Sequence, residues 1–130
     1  MKFQYKDYRE MVEFLENCVK QYPHLIKIES IGKTYENRDI LLATISLNVE
    51  FADLKPALLY TGTIHAREWI GNELAISFID YLLKNHKTDP RVISTLSKST
   101  LYIVPTLNPD GFEYSQKHYS FWRKNKRKND

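Results

Sequence analysis

The amino-acid sequence predicts an α/β domain with a mixed sheet and flanking helices. Short apolar strand segments alternate with helical segments along most of the chain, which is typical of a sheet covered by helices. Two early strand segments separated by a short turn add an antiparallel hairpin to that sheet. At 130 residues, 42% of them hydrophobic, the chain has the size and composition to fold around one core.

The elements of the first third follow from side-chain spacing and from turn residues. Apolar side chains recur at helical spacing over residues 7–22, and Pro23 ends this predicted helix. Residues 25–31 alternate apolar and polar side chains, which predicts a half-buried strand. Residues 36–39 supply a turn, and residues 40–47 are predicted to form the returning strand of a hairpin.

The remaining elements follow in the same way. Residues 48–55 are predicted to form a polar loop, and residues 56–60 are a short apolar run typical of a buried parallel strand. Residues 71–85 carry a broad apolar face and predict a helix. A short helix is expected to begin at residues 89–90, where an Asp precedes a Pro, and residues 101–105 predict another strand.

A histidine and a carboxylate lie three positions apart where the strand at 56–60 gives way to a helix. Zinc accepts imidazole nitrogen and carboxylate oxygen, and catalytic zinc sites use three protein ligands and a water. His65 and Glu68 are therefore candidates for two of three ligands, at the carboxyl end of a strand where ligands collect in α/β sheets. The same spacing also occurs in ordinary turns, so the pair by itself is a weak signal.

Further motifs change the interpretation of this pair. Four motifs occur in order along the chain: Gly32 with Arg38 in the predicted hairpin, His-Ala-Arg-Glu-Trp at 65–69, Pro-Thr-Leu-Asn-Pro-Asp-Gly-Phe at 105–112, and Trp-Arg-Lys-Asn at 122–125. Together they closely resemble the zinc metallocarboxypeptidases of the carboxypeptidase A/B type. The resemblance spans residues 8–126, and four ordered motifs at family-like intervals are hard to obtain by chance.

The resemblance implies a role for each matching position. His65 and Glu68 match the first two metal ligands of the family, so one Zn²⁺ ion is the expected cofactor. Arg67 matches an arginine that binds the substrate on the side away from the leaving residue. Arg123 matches the catalytic arginine that binds the scissile carbonyl and stabilises the oxyanion, a task that suits a permanently charged guanidinium with several planar donors. The turn at 108–111 is expected to orient the segment leading to Arg123.

The resemblance also implies that residues 1–130 are the N-terminal portion of a single catalytic domain with a phosphorylase/hydrolase-like zinc-carboxypeptidase fold. The family's third zinc ligand, carboxylate clamp and general base correspond to positions beyond residue 130. The expected substrate is a peptide or protein C-terminus, and the isolated chain is expected to be inactive. His24, His86 and His118 are expected on the surface, with His118 the least improbable replacement ligand.

Two alternatives stay open at this point. The first keeps the fold and the metal but changes the substrate, since related bacterial enzymes cleave peptidoglycan peptides. The second is a non-catalytic truncated domain or binding module. The pocket that sets the preference for a terminal residue lies downstream in the family, so the motifs do not identify that preference.

Composition and charge argue against several other function classes. The net charge is +3, but residues 123–130 contribute five Lys or Arg and one Asp, or +4, which leaves −1 for the remainder. No nucleic-acid motif or interleaved aromatic residues accompany this basic run, so no nucleic-acid partner is expected. Residues 124–130 are instead expected to form a disordered basic tail.

The sequence also bears on targeting, disulfide formation and self-association. The N-terminus lacks the apolar segment of a signal peptide, and no run approaches the ~20 apolar residues of a membrane span. Many relatives are secreted, so the localisation stays open. The single cysteine, Cys18, excludes an internal disulfide and is predicted to be buried. One of the strands at 57–61 and 102–104 is expected to present an open apolar edge, which favours self-association.

Overall fold

The computed structural model describes residues 4–128 and confirms the predicted α/β class with a mixed sheet and flanking helices. The elements in chain order are α1 (Tyr8–Gln21), β1 (Ile26–Lys33), β2 (Asp39–Ile45), a 3-10 helix (Val49–Leu54), β3 (Ala57–Thr61), α2 (Trp69–Asn85), α3 (Pro90–Lys98), β4 (Thr100–Val104) and α4 (Pro109–Lys117). No helix among residues 4–128 is long and apolar enough to cross a membrane.

The four strands of the described chain form one sheet in the order β1-β2-β4-β3. β1 and β2 form the predicted antiparallel hairpin, β2 and β4 are also antiparallel, and β3 and β4 are parallel. The hairpin turn places Asn37 at a φ of 64°, a left-handed conformation that asparagine tolerates better than most residues. The parallel pair brings the carboxyl ends of β3 and β4 to the same edge of the sheet.

The hydrophobic core lies between the sheet and helices α1, α2 and α3. Leu15 of α1, Ile79 of α2 and Ile103 of β4 are fully buried members of this core. Cys18 also lies in the core, as predicted, and burial raises the pKa of its thiol to about 11. The thiol is therefore a packing group at neutral pH, because the reactive form of cysteine is the thiolate.

Two segments differ from their sequence-based predictions. Residues 48–55 were predicted to form a polar loop, but they contain a 3-10 helix whose Val49 and Ala52 are buried. Residues 108–111 were predicted to form a turn, but they begin helix α4. Asn108 caps this helix by accepting a hydrogen bond from Gly111 N at 3.1 Å, and a proline follows at the first helical position. An Asn followed by Pro suits either structure, and burial of the residues that follow favours the helix.

The two edges of the sheet are β1 and β3, whereas β4 is an internal strand. Of the two strands expected to leave an open edge, it is therefore β3 that does so within the described residues. Its Leu58 and Leu59 are 57% and 64% exposed.

Candidate metal centre

The loop between β3 and α2 carries the predicted site residues and is held by backbone hydrogen bonds to the segment after β4. Gly62 N donates to Val104 O at 2.8 Å, and Leu107 N donates to Gly62 O at 3.0 Å. Asn108 N donates to Thr63 O at 3.2 Å. The loops that leave two neighbouring parallel strands are thus fixed to each other at the edge where α/β sheets collect ligands.

Close backbone packing fixes the distance between this loop and helix α2. A Cβ on Gly62 would lie 2.3 Å from Pro105 O, and one on Gly71 would lie 2.7 Å from Thr63 N. Both approaches require glycine, because real Cβ atoms do not come this close to backbone atoms. The first turn of α2 therefore rests directly on the loop backbone.

Within this loop, residues 65–68 form a turn that brings the two predicted ligands together. Glu68 N donates to His65 O at 3.0 Å, so the backbone folds back between the two positions. The side chains converge on the same side: Nδ1 of His65 lies 2.7 Å from Oε1 of Glu68. The two side chains are 36% and 50% exposed, so the pair lies at the surface of the described chain and not in its core.

The pair fits two positions of a tetrahedral zinc site if the distance between Nδ1 of His65 and Oε1 of Glu68 increases slightly. Zinc bonds of ~2.0–2.1 Å at tetrahedral angles place two donor atoms ~3.3 Å apart. The observed separation of 2.7 Å therefore has to increase by about 0.6 Å, which partly exposed side chains can accommodate. Among residues 4–128, no three His, Cys, Asp or Glu side chains converge in a group that could hold a metal. The described chain thus offers two candidate ligands, His65 and Glu68, where a catalytic zinc site needs three.

The other histidines lie apart from this pair. His24 and His118 are exposed, as expected, and the ring of His118 lies against Tyr114 with centroids 5.1 Å apart. His86 is half-buried at the end of α2, where its Nδ1 lies 2.6 Å from Leu83 O. His118, the replacement ligand considered from the sequence, joins no metal-binding group in the described residues.

Arg123 lies in the segment after α4, and its side chain approaches His65. Its Nη2 lies 3.5 Å from Nδ1 of His65. Its carbonyl accepts a hydrogen bond from Ala66 N at 3.1 Å, and the next carbonyl, of Lys124, accepts one from Asn108 Nδ2 at 3.1 Å. The backbone that carries Arg123 is therefore held between the β3–α2 loop and the start of α4. Arg67 lies exposed on the ligand turn itself.

Asp110 has a structural part that the sequence did not reveal. Its buried carboxylate accepts hydrogen bonds from Thr34 Oγ1 at 2.7 Å, Glu36 N at 2.9 Å and Arg38 Nη1 at 2.8 Å. These contacts fasten the β1–β2 hairpin to the first turn of α4. The arginine of the hairpin motif and the aspartate of the Asn-Pro-Asp-Gly motif are thus one ion pair, a connection that opposite charges in two separate motifs could have suggested.

Trp69 and Trp122 link neighbouring segments beside the His65–Glu68 pair. Trp69 Nε1 donates to Ser115 Oγ at 2.7 Å, and that hydroxyl donates to Ala66 O at 2.8 Å, so α4 is linked to the β3–α2 loop. Trp122 packs edge-on against Tyr114 with ring centroids 5.0 Å apart. Both tryptophans hold neighbouring segments together beside the site.

The basic run after Arg123 folds back against α4 as far as the structure describes it. Lys126 Nζ lies 3.7 Å from the centre of the Tyr114 ring and 4.9 Å from that of Trp122. Residues 129–130 lie outside the described residues, and the disorder expected for residues 124–130 stays a prediction. A cavity of about 390 Å³ opens beside His65 and Arg123, with Tyr35 of the hairpin in its wall, and it has the size of a small-ligand site.

The fold and this geometry define a class of protein: an α/β protein with a His–Glu pair after the carboxyl end of a parallel strand and an arginine beside the histidine. Comparison with known proteins gives the family. The model of the zinc carboxypeptidase family matches residues 11–130, and the chain belongs to that family.

Several characterised relatives are similar over most of this chain. A zinc carboxypeptidase of Saccharothrix mutabilis subsp. capreolus is 32% identical over 96% of the chain, and carboxypeptidase B of Astacus astacus is 34% identical over 92%. Carboxypeptidase D of Anas platyrhynchos is 35% identical over 88%. The chain spans 29%, 38% and 8% of the lengths of these three relatives, respectively.

Solved structures agree with the sequence comparison. The crystal structure of thrombin-activatable fibrinolysis inhibitor (TAFI) superposes with a TM-score of 0.91 at 28% identity, covering 98% of this chain and 31% of that one. Carboxypeptidase A from Helicoverpa armigera superposes with a TM-score of 0.85 at 25% identity, covering 95% of this chain and 29% of that one.

Proposed function

We propose that this chain supplies part of the active site of a zinc-dependent carboxypeptidase that hydrolyses C-terminal residues of peptides or proteins. The observation that carries the proposal is the convergence of three side chains. Oε1 of Glu68 lies 2.7 Å and Nη2 of Arg123 lies 3.5 Å from the same nitrogen of His65. Membership of the zinc carboxypeptidase family supports the choice of metal and of reaction.

In this proposal each residue has one task. His65 and Glu68 hold one Zn²⁺ ion, which when bound lowers the pKa of a water molecule and polarises the substrate carbonyl. Arg123 donates hydrogen bonds to the carbonyl oxygen as negative charge develops there, and its fixed backbone keeps the guanidinium oriented. Arg67, exposed on the same turn, binds the substrate on the side away from the leaving residue.

In this proposal the isolated chain is inactive. Two ligands and an oxyanion donor converge, but no group of three metal-ligating side chains forms among residues 4–128. Efficient hydrolysis also needs a base that takes a proton from the water. In the proposal, a third ligand and this base are contributed by polypeptide outside the described residues.

A zinc titration of the chain by calorimetry tests the metal site. We expect weak binding that is lost in His65→Ala and in Glu68→Ala but kept in His118→Ala, which removes an exposed histidine outside the pair. Binding that survives His65→Ala would refute the proposed site and favour a non-catalytic module. Tight binding that is lost in His118→Ala would instead place a third ligand there.

We also propose that the chain self-associates through β3. Within the described residues this strand pairs on one side only, and Leu58 and Leu59 are more than half exposed. An apolar edge with unpaired backbone groups is a template for another strand, and a second copy of this chain offers the same edge.

A further inference from the structure

Thr63, two residues before His65, has a backbone conformation that conflicts with its side chain. Its φ is 40°, in the left-handed region, where a β-branched residue is a genuine outlier. The residue is also buried, with 3% of its surface exposed. Backbone strain of this kind persists only where the surroundings enforce it, and it concentrates at functional sites.

The surroundings of Thr63 enforce its conformation from two sides. Its carbonyl accepts a hydrogen bond from Asn108 N at 3.2 Å, which ties it to the segment after β4. On the other side, Gly71 of α2 approaches so closely that a Cβ there would lie 2.7 Å from Thr63 N. A glycine at position 63 would adopt this φ without strain, so the threonine side chain needs a reason of its own.

The hydroxyl of Thr63 supplies that reason, because it bonds to a proposed metal ligand. Thr63 Oγ1 donates to Glu68 O at 3.1 Å, a carbonyl that also accepts from Gly71 N at 3.1 Å. Glu68 N in turn donates to His65 O. Both backbone polar groups of Glu68 are thus occupied. Glu68 stands at the N-cap of α2 without capping it through its side chain, so the carboxylate is available to turn toward His65.

We propose that Thr63 is a positioning residue for Glu68. The strained backbone brings the Thr63 hydroxyl under the Glu68 carbonyl, and that hydrogen bond fixes the peptide from which the carboxylate projects. The carboxylate then converges with Nδ1 of His65 before any metal binds. This inference rests on the proposed zinc site, and it assigns the strain at position 63 to preorganisation of that site.

The test uses three substitutions in the full chain, read by thermal unfolding and by zinc calorimetry. Thr63→Gly removes both strain and hydroxyl, so we expect a higher Tm and a zinc affinity about tenfold lower, as for loss of other groups that orient a metal ligand. Thr63→Ser keeps the hydroxyl, and we expect affinity within about twofold of the original. Thr63→Val keeps the branched shape without the hydroxyl, and we expect the lower affinity with no gain in Tm.

Asn37→Gly is the matched control for relief of strain. Asn37 has a φ of 64° in the hairpin turn, where its N donates to Thr34 O at 3.0 Å. We expect this substitution to raise Tm and to leave zinc affinity unchanged. The proposal is overturned if Thr63→Gly raises Tm without weakening zinc binding, or if Thr63→Ser weakens zinc binding as much as Thr63→Gly does.

A second measurement separates this inference from the proposed function. Amide hydrogen exchange at Glu68 and Gly71, without metal, reports whether the turn is fixed. We expect faster exchange in Thr63→Gly and Thr63→Val than in Thr63→Ser. Equal exchange in all three variants overturns the positioning role. Absence of zinc binding in the unsubstituted chain overturns the proposed metal site instead, whatever the exchange rates are.

Discussion

The two edge strands of the sheet are built in opposite ways. β1 carries the charged, exposed side chains of Lys27 and Glu29, and its register with β2 shifts between Ser30 and Lys33. Charged residues and irregular register both block the addition of another strand. β3 has neither device, and it exposes Leu58 and Leu59 instead. The edge at β1 therefore resists the addition of another strand, whereas the edge at β3 can accept one.

The helices repeat this contrast. On α1, the exposed surface includes an ion pair between Arg9 and Glu13. On α2, the exposed surface includes an apolar stripe at helical spacing, made of Ile70, Leu74, Phe78 and Tyr81. A helix that is apolar on two sides is typical of an element buried between layers. The molecule therefore has a charged side, at β1 and α1, and an apolar side, at β3 and α2. The exposed surface of the apolar side suits contact with further polypeptide.

Asp110→Ala should have the largest effect, because it removes the carboxylate that joins the β1–β2 hairpin, on the charged side, to α4. The substitution leaves Arg38 and Thr34 without their buried partner and detaches the hairpin from α4. We expect the free energy of unfolding to fall by about 3 kcal/mol, because three hydrogen bonds to a buried carboxylate are lost, while Arg38 keeps its ion pair with Glu36. Urea unfolding measures this loss.

The matched control for Asp110→Ala is Glu13→Ala, which breaks an exposed ion pair on α1. We expect this control to change the free energy of unfolding by no more than about 0.5 kcal/mol. Equal losses in the two variants would show that the hairpin contact at Asp110 contributes no more than a surface pair.

Polar substitutions on β3 should have the next largest effect, on association. With Leu58→Thr and Leu59→Lys combined, we expect a monomer at concentrations where the unsubstituted chain associates, measured by analytical ultracentrifugation. The lysine places a charge on the edge, the device that β1 already uses. Ile31→Thr, at a position on β1 that is 51% exposed, is the control and should leave association unchanged. Association that responds to Ile31→Thr alone would locate the contact at the other edge.

The smallest expected effect is on stability in acid, and it is tested by comparing two carboxylates, Asp89 and Asp39. Hydrogen bonds from Arg91 and Tyr81 hold the pKa of Asp89, the N-cap of α3, far below its usual value. A hydrogen bond from Lys33 lowers the pKa of Asp39 on β2 less strongly. A carboxyl whose pKa is lowered by folding adds stability above its unfolded pKa of about 3.9, and this stability is lost as pH falls through the folded pKa.

We therefore expect Asp89→Asn to flatten the loss of stability below about pH 4 more than Asp39→Asn does. Urea unfolding at several pH values between neutral and strongly acidic conditions measures both slopes. A greater flattening in Asp39→Asn would reverse the assignment of the stronger carboxylate interaction to α3.

Most of the elements could be predicted from the sequence, because the periodicity of apolar side chains is a local property. The helices at 8–21 and 69–85 and all four strands were anticipated within a few residues. The 3-10 helix and α4 were missed. Asn48 and Asn108 precede segments whose composition suits turns, and their helical structure depends on burial of Val49 and Phe112 in contacts made by the folded chain.

By itself the sequence determined the family, the fold class and the spacing of His65 and Glu68, since motifs and periodicity are written in neighbouring residues. Only the tertiary structure decided that β3 rather than β4 is the open edge. It also paired Thr34 with Asp110, 76 residues away, and forced Thr63 into a left-handed conformation under Glu68. The physical reason is the same in each case: strand order, ion pairing and backbone strain depend on contacts between distant segments, which no local pattern specifies.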